Sequence, residues 1–275
     1  MDKTYQLFDQ DYQRLMIFMK ANYGINLERK QSLIEGRLSV MIQRRGFHSF
    51  AEYIDFAMAD TTGGEASLLV SRLTTNYTFF MREEAHYRFL QNTALPELCA
   101  DIRDHDLRIW SAGCSSGEEP YTTAMTLCDY FGGIHSAWDK TVLATDISEN
   151  VLRIARQGVY PKETIAQVPQ SWKSTYFREI DEDTVQVADE VRKQVVFGSF
   201  NLMSPTLPFR KPFHIIFCRN VMIYFDAPTK DALVNRYFRH LVPGGYLFIG
   251  MSETLPAKGE PFRQVQPSIY QKARV

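Results

Sequence analysis

The sequence has few of the residues that bind structural metal ions or cross-link small secreted proteins. Four of its 275 residues are cysteines, and no two of them form a C-x-x-C pair. The six histidines are scattered without the spacing of metal ligands. These absences argue against a zinc site and against a disulfide framework, so no bound metal is expected. Reduced thiols are typical of a reducing compartment, which predicts a cytoplasmic protein.

Long hydrophobic runs and an excess of either charge are also absent. No stretch of 18 apolar residues occurs, and the first residues contain no apolar signal region, so no direct membrane insertion is expected. The net charge is −1 at pH 7, which lacks the basic footprint of nucleic-acid-binding proteins. The composition is 45% hydrophobic, enough for a globular core without covalent cross-links.

The residues that are present change in character near residue 100. Residues 1–85 read mostly as helices, and residues 86–104 as a linker helix. From 105 to 275, apolar strand-like runs alternate with helical runs, a pattern typical of a parallel sheet covered on both faces. The alternation breaks at about 170–195, which predicts a small hairpin-bearing insertion. The predicted fold class is therefore α/β with a helical N-terminal domain.

One stretch of the alternating region, I-W-S-A-G-C-S-S-G-E-E-P at 109–120, combines small residues with two acids. Ligands of open α/β sheets bind beyond the carboxyl ends of the strands, where this run lies. Its spacing matches neither a dinucleotide fingerprint nor a P-loop. Glu118 and Glu119 would repel a phosphate and attract a cation, although acids also favour a helix N-terminus for its dipole alone.

Asp146 ends the next predicted strand, within A-T-D-I-S at 144–148. An acid at that position can accept two hydrogen bonds from ribose hydroxyls, and it can equally cap the helix that follows. A loop of small residues, an acid beside it and an acid for ribose together describe S-adenosylmethionine. That molecule has a ribose, an amino group and a sulfonium, and it carries no phosphate.

Five motifs, in order along nearly the whole chain, resemble the CheR chemotaxis-receptor methyltransferases. They are T-T-N-Y-T-F-F-M-R-E (74–83), G-C-S-S-G-E-E-P-Y (113–121), A-T-D-I-S (144–148), F-N-L (200–202) and F-C-R-N-V-M-I-Y-F (217–225). The resemblance implies a Rossmann-like class I methyltransferase domain, a helical N-terminal domain and a small inserted antiparallel β-subdomain. It also implies methyl transfer from S-adenosylmethionine to glutamate side chains on the cytoplasmic helices of chemoreceptors, which leaves S-adenosylhomocysteine.

The resemblance also assigns roles to the residues of these motifs. The implied cofactor-binding residues are Asn76, Thr78, Arg82, Glu118, Asp146, Asn201, Leu202, Arg219 and Asn220. The implied catalytic residues, beside the methyl group and the substrate, are Arg82, Arg219 and Tyr224. Either arginine could hold the acceptor carboxylate, because a guanidinium matches a carboxylate with two parallel hydrogen bonds.

A basic helix is the candidate surface for the receptor. Residues 14–45 contain seven basic and two acidic residues, and Lys30, Arg37 and Arg44 share one helix face by their spacing. Such a face suits the acidic methylation helices of a chemoreceptor, and it could also be an ordinary solvated surface. We therefore expect these three residues to bind the substrate.

The inserted hairpin departs from the pattern of CheR proteins that bind a receptor's C-terminal pentapeptide. Those members have a glycine-containing loop, whereas Y-F-R-E-I-D-E-D-T-V-Q-V has no glycine. A pentapeptide partner is therefore not expected. Two alternatives to a receptor methyltransferase remain open, namely a methyltransferase for another acceptor and a degenerate methyltransferase fold that serves as a binding module.

Overall fold

The computed structural model describes residues 5–133, 136–255 and 262–274. Its N-terminal part consists of four helices: α1 (Asp9–Tyr23), α2 (Gln31–Arg44), α3 (Phe50–Ala59) and α4 (Gly64–Leu73). A variant of the capping box starts α3: Ser49 Oγ accepts from Glu52 N–H at 3.2 Å, and the Glu52 carboxylate accepts from the N–H of His48, the residue before the N-cap, at 2.6 Å. Gly24 ends α1 in the left-handed region, with φ of 69°.

A helical segment follows and leads to the sheet. It comprises α5 (Glu84–Phe89), a π-helical turn (Leu90–Ala94) and α6 (Leu95–Cys99). The strands and helices of the alternating region are β1 (Ile109–Ala112), α7 (Glu118–Tyr130), β2 (Val142–Asp146), α8 (Glu149–Gln157), β6 (Val195–Ser199), β7 (Phe213–Cys218), α11 (Ala227–His240) and β8 (Leu241–Ile249). All residues of β1 and β7 are buried, as expected for central strands covered on both faces.

Two further strands, β9 (Phe262–Gln266) and β10 (Ile269–Lys272), belong to the main sheet. Among the described residues this sheet has seven strands in the order β6-β2-β1-β7-β8-β10-β9, and the first five are parallel to one another, as the alternation predicted. Strand β10 pairs antiparallel with β8, and β9 pairs antiparallel with β10. The α/β class with its helical N-terminal part is confirmed, and the antiparallel edge completes the sheet without a crossover helix.

A separate sheet of three antiparallel strands lies between β2 and β6 in the chain. It contains β3 (Val159–Pro161), β4 (Phe177–Glu179) and β5 (Thr184–Val187), in the order β3-β5-β4. Two short helices accompany it, α9 (Gln170–Tyr176) and α10 (Asp189–Arg192). The small sheet therefore begins earlier than the insertion predicted at about 170–195, because the chain enters β3 directly from α8 through Gly158.

The N-terminal helices and one face of the main sheet share a hydrophobic core. Buried side chains of the helices, such as Leu15 and Leu38, belong to the same cluster as Trp110 of β1 and Leu247 of β8. The opposite face of the sheet packs in a second cluster with α5, α7 and the small sheet. The N-terminal helices therefore pack directly against one face of the main sheet and share its core.

Candidate active site

A cavity of about 320 Å³ lies beyond the carboxyl ends of β1, β2 and β7. This is the edge at which ligands bind in open α/β sheets. The cavity is lined by most of the residues that the sequence motifs assigned to the cofactor or the chemistry: Asn76, Thr78, Arg82, Asp146, Asn201, Leu202, Arg219, Asn220 and Tyr224.

The small residues after β1 fit their neighbours tightly. Gly113 has φ of 95°, and a Cβ there would lie 2.5 Å from Val221 Cγ2. Gly117 has φ of 101°, and a Cβ there would lie 2.9 Å from Ala155 Cβ. Any side chain would therefore collide at both positions. Part of the run of small residues thus serves close packing of the loop against its surroundings.

Asp146 is fixed by the backbone at the end of β2. Its Oδ2 accepts from Ser115 N–H at 2.9 Å, and its Oδ1 accepts from Ser148 N–H at 2.9 Å. Burial raises the pKa of this carboxyl, and the hydrogen bonds from the backbone oppose the rise. Because each carboxylate oxygen has two lone pairs, Asp146 retains acceptor capacity for hydroxyl groups in the cavity.

The two adjacent acids at the start of α7 have different surroundings. Glu118 is buried, does not line the cavity, and accepts hydrogen bonds from Ser116 Oγ at 3.0 and 2.8 Å. Glu119 lines the cavity, and its Oε1 accepts from Ser111 Oγ at 2.7 Å. Burial raises the pKa of both carboxyls. The structure thus places Glu119 at the cavity, whereas the motif assigned the cofactor contact to Glu118.

Arg219 is the centre of a buried ion network with Glu83, Glu119 and Tyr87. Its Nε donates to Glu83 Oε2 at 3.1 Å, and its Nη1 lies 3.3 Å from Glu119 Oε2 and donates to Tyr87 Oη at 3.0 Å. Nη2 donates to the carbonyl oxygen of Arg82. Each guanidinium nitrogen of Arg219 therefore already has a partner within the protein.

Arg82 has very different surroundings, although it lines the same cavity. Its Nη1 donates to the carbonyl oxygen of Tyr77, and its Cζ lies 5.8 Å from the centre of the Tyr77 ring. Within residues 5–133, 136–255 and 262–274, no carboxylate oxygen lies within 4 Å of its guanidinium nitrogens. Arg82 thus combines access to the cavity with a charge that forms no salt bridge with a described residue, although it opposes the rise in the pKa of Glu119.

Tyr224 fixes the segment that connects the helices to the sheet. Its hydroxyl accepts from Thr75 N–H at 2.8 Å and donates to Thr75 O at 3.1 Å. Residues 74–79 line the cavity, so this pair of bonds sets the position of one cavity wall. The hydroxyl proton of Tyr224 is already donated to Thr75 O, so it is not available to a carboxylate in the cavity. Beyond its bond from Thr75 N–H, the hydroxyl oxygen retains only one lone pair.

Two further carboxylates organise the site, and the sequence analysis assigned no role to either of them, although Glu83 ends the first motif. Glu253 is buried and accepts from three backbone amides: Asn220 at 2.8 Å, Gly250 at 2.7 Å and Ile223 at 3.0 Å. Burial raises its pKa, and these bonds oppose the rise. Glu83, the other carboxylate, accepts from Met251 N–H at 3.0 Å. Both acids have backbone partners more than 25 residues away, which no local pattern reveals.

The end of α1 also reaches the cavity. Tyr23 and Ile25 line it, and Asn26 N–H donates to Tyr224 O at 2.8 Å. The side-chain amide of Asn201 donates to Asn22 O at 2.8 Å. The N-terminal helices therefore help to build the chamber, and Asn201 contributes to their attachment.

The three basic residues of the predicted receptor surface lie outside the cavity, and they differ among themselves. Arg37 donates to Thr74 O and to Thr75 Oγ1, both at 3.0 Å, so it holds the cavity-lining segment. Arg44 ends α2 and is exposed, and Lys30 precedes α2 and is partly exposed. The shared helix face thus combines one residue with an internal structural contact and two that are more available to a partner.

Two searches of the described residues bear on metals and membranes. Among residues 5–133, 136–255 and 262–274, no three histidine, cysteine, aspartate or glutamate side chains are grouped as a metal site. In that same part of the chain, no helix has the length and apolarity needed to cross a bilayer.

Two family models match the chain, and together they span most of it. The all-alpha domain of CheR methyltransferases matches residues 10–74. The S-adenosylmethionine-binding domain of CheR methyltransferases matches residues 76–271. The second match confirms S-adenosylmethionine as the cofactor.

Several full-length relatives are similar to this chain. The chemotaxis protein methyltransferase of Borreliella burgdorferi is 43% identical over 263 residues, which cover 94% of this chain and 93% of the relative. Chemotaxis protein methyltransferase 2 of Pseudomonas aeruginosa is 38% identical, covering 96% and 93%. The chemotaxis protein methyltransferase of Escherichia coli is 35% identical, covering 92% and 87%. The resemblance seen in the sequence motifs is confirmed.

Proposed function

This chain belongs to the CheR methyltransferase family, and on that premise we propose that it methylates glutamate side chains on the cytoplasmic helices of chemoreceptors. The products would be a glutamate methyl ester and S-adenosylhomocysteine, and the modification would tune chemotactic adaptation. The single observation that carries the proposal is Arg82, a cavity-lining cation that no described carboxylate pairs. The carboxylate of an acidic acceptor would provide the negative charge that pairs with Arg82.

The residues around the cavity fit S-adenosylmethionine. Asp146 and Glu119 place two carboxylates in the cavity lining, of which Glu119 is paired with Arg219, and carboxylates suit a ligand with a positive sulfur and an amino group. Asp146 retains lone pairs for ribose hydroxyls beside its two backbone bonds. Glu118 can act from behind the loop, through Ser116 and the start of α7, rather than by direct contact.

The methyl transfer requires no proton transfer by the protein. S-Adenosylmethionine supplies a methyl group that its positively charged sulfur already activates. A glutamate carboxylate has an ordinary pKa of about 4.3 and is ionised at neutral pH, so it needs no general base. The protein's own task is to hold the acceptor oxygen in line with the methyl carbon and the sulfur, and to exclude water. Such positioning can lower a barrier by about 7–11 kcal/mol at most.

We assign the acceptor contact to Arg82 rather than to Arg219. The guanidinium of Arg219 is already occupied by Glu83, Glu119, Tyr87 and the carbonyl of Arg82. Charge is lost as a carboxylate becomes an ester, so overly tight binding of the anion would slow the reaction. A partly exposed arginine at the cavity suits this requirement better than a fully buried one.

The helical part, residues 1–85, would present the receptor to the methyltransferase part, residues 105–275. Lys30 and Arg44 are available for an acidic receptor helix, and Arg37 would act mainly by holding Thr74 and Thr75. An ionic surface of this kind increases the rate of encounter and is weakened by salt. We therefore expect the Michaelis constant for the receptor to rise with ionic strength.

The hairpin of the small sheet is unsuited to an acidic receptor tail. Its loop follows Glu179, and Asp181 Oδ1 accepts from Asp183 N–H at 2.9 Å and from Thr184 N–H at 2.8 Å, which fixes a compact turn. Glu179, Glu182 and Asp183 are exposed beside it. We propose that receptors are methylated without a pentapeptide tether, and calorimetry with such a peptide should detect no binding.

A transfer assay tests the function directly. The protein is mixed with receptor-containing membranes and S-adenosylmethionine that carries a tritiated methyl group, and radioactivity in the receptor band is followed. A glutamate ester releases volatile methanol in alkali, which distinguishes it from an N-methyl product. Asp146→Asn, which keeps the shape but not the charge, is the matched variant and should bind cofactor more weakly by about 1.5–3 kcal/mol for each charged hydrogen bond lost.

Two outcomes of this assay would overturn the proposal. Cofactor binding without transfer to any receptor would favour a binding module, and transfer to another acceptor would favour a different methyltransferase. Calorimetry with S-adenosylmethionine and S-adenosylhomocysteine supplies the binding measurement.

A further inference from the structure

Three large apolar side chains are exposed around the part of the molecule where Arg82 lies. Tyr77 is 68% exposed, Met251 is 56% exposed and Ile223 is 46% exposed. Tyr77 and Ile223 line the cavity together with Arg82. We call Tyr77, Ile223 and Met251 the apolar rim.

Two turns that carry the rim lie against each other. The Glu253 carboxylate accepts from Ile223 N–H at 3.0 Å and from Gly250 N–H at 2.7 Å, so one side chain joins both backbones. Met251 directly follows Gly250 in the chain. A Cβ on Gly250 would lie 2.4 Å from Asn220 Nδ2, which shows how closely the turns approach. The backbones of Ile223 and Gly250 are therefore close together, and the exposed side chains of Ile223 and Met251 extend from this pair of turns.

The backbone of the rim is fixed from within while its side chains stay exposed. Met251 N–H donates to Glu83 Oε1 at 3.0 Å, and Glu83 belongs to the buried ion network. The carbonyl of Tyr77 accepts from Arg82. Large apolar side chains grouped on fixed turns next to a cavity mark a candidate interaction surface.

We propose that the apolar rim binds the apolar side chains that flank the acceptor glutamate on the receptor helix, while Arg82 receives its carboxylate. The inference rests on the proposed function, and it identifies which glutamates that function selects. On a helix, residues three and four positions from the acceptor share its face and would meet the rim. Charge complementarity argues for this occupant, because Arg82 has no carboxylate partner among the described residues.

The arrangement predicts a rule for substrate choice. A carboxylate alone would not distinguish one exposed glutamate from another. Apolar contacts on both sides of it would, since charged neighbours at those positions would lose their hydration against the rim. Charged substitutions three or four positions from an acceptor glutamate should therefore make it a poor substrate, whereas apolar substitutions there should not.

The test uses Met251→Ser and Ile223→Ser, with Val196→Ser as the matched control. Val196 is 54% exposed, on the outer strand β6 and away from the cavity lining. Each rim substitution should raise the Michaelis constant for the receptor by about tenfold, the loss expected from one well-buried apolar side chain. Val196→Ser should stay within about twofold of the wild type, in line with ordinary surface substitutions.

Two further measurements separate recognition from damage to the fold. Met251→Leu keeps the apolar surface and should retain the wild-type Michaelis constant. Calorimetry should give Met251→Ser an unchanged affinity for S-adenosylhomocysteine, because Met251 does not line the cavity. Tyr77 is left intact, because its ring also contacts Arg82.

The possible results distinguish a failure of the proposed function from a failure of the apolar-rim proposal. If the wild-type protein does not methylate receptors, the proposed function fails. If it does, and both serine variants keep the wild-type Michaelis constant, the apolar rim has no role and this inference alone is overturned. A rise in the Michaelis constant that Val196→Ser shares would overturn it as well.

Discussion

The two arginines that line the cavity differ in how completely the protein itself satisfies their charge. Arg219 is buried and is surrounded by two carboxylates and a phenol. Arg82 lies beside the apolar rim, and no described carboxylate is close enough to pair with it. The two arginines therefore suit different roles. The paired charge of Arg219 holds the cavity together, and the charge of Arg82 is available to a substrate.

The largest effect should come from removing the internally paired charge. Arg219→Gln would leave Glu83 and Glu119 buried without a counter-charge, and breaking a buried ion pair in this way costs about 3–5 kcal/mol. Urea denaturation should show a loss of that size. Arg82→Gln, the matched change, should alter the free energy of unfolding by about 0.5 kcal/mol or less. Equal losses for the two variants would remove the distinction between the arginines.

The buried network should also give the protein a pH-dependent stability through His86. Its Nδ1 lies 3.3 Å from Glu83 Oε2. Burial, and then the charge of Arg219, lower the pKa of His86 from 6.5 to about 4, although Glu83 opposes the shift. Because the unfolded chain binds this proton more readily, the free energy of unfolding should fall as the pH drops from about 6.5 to 4, by about 3 kcal/mol.

His86→Leu isolates this contribution. The variant should lose the part of the slope between pH 6.5 and 4 that belongs to His86, while His214, whose pKa is also lowered to about 4, keeps its own contribution. Denaturation curves at several pH values measure the difference. An unchanged slope in the variant would mean that His86 is as easily protonated in the folded protein as in the unfolded chain.

For the unpaired charge, the expected loss is catalytic. Arg82→Gln should lower kcat/KM for receptor methylation by about 100-fold, since a hydrogen bond to a charged group contributes about 1.5–3 kcal/mol. Rates with receptor-containing membranes provide the measurement. Arg82→Lys restores the charge but not the paired geometry of a guanidinium, and should recover part of the rate. Full activity in Arg82→Gln would exclude Arg82 from the acceptor contact.

The smallest expected effect concerns α2, where Arg37 has partners within the protein and Arg44 is exposed. Arg44→Glu should raise the Michaelis constant for the receptor by about fivefold at low salt and leave cofactor affinity alone, as for an exposed charge. Arg37→Glu should in addition weaken cofactor binding, because Arg37 holds Thr74 and Thr75 at the cavity wall. Parallel calorimetry and rate measurements compare the two. Identical behaviour would mean that the Arg37 contacts have no influence on the cavity.

The sequence predicted much of the fold because its signals are local. The apolar runs of β1, β2, β6, β7 and β8 and the intervening helical periodicity indicate a parallel sheet without tertiary information. The antiparallel strands β9 and β10 were not predicted, because their short runs, F-R-Q-V-Q and I-Y-Q-K, contain polar residues and lack the continuous apolar pattern of the other strands. The sequence motifs also identified most of the residues that line the cavity.

The rest of the site depends on contacts that sequence spacing does not encode. Glu118 and Glu119 are adjacent on one helix, and only the packing of α7 decides which of them reaches the cavity. Glu253 binds amides around residue 220, some 30 positions earlier. Lys30 and Arg37 look equivalent by spacing, yet only Arg37 holds the Thr74–Thr75 carbonyl and hydroxyl groups.

The position of Tyr23 and Ile25 in the cavity wall has a consequence for protein engineering. Grafting the helices of another homologue would seem a simple way to redirect the enzyme to a new receptor. Here such a chimera would also exchange part of the cofactor chamber, together with the bond from Asn26 N–H to Tyr224 O. Under the proposed function, target choice and cofactor affinity would therefore be inherited together, and retargeting would need to keep the end of α1 while only the surface of α2 is changed.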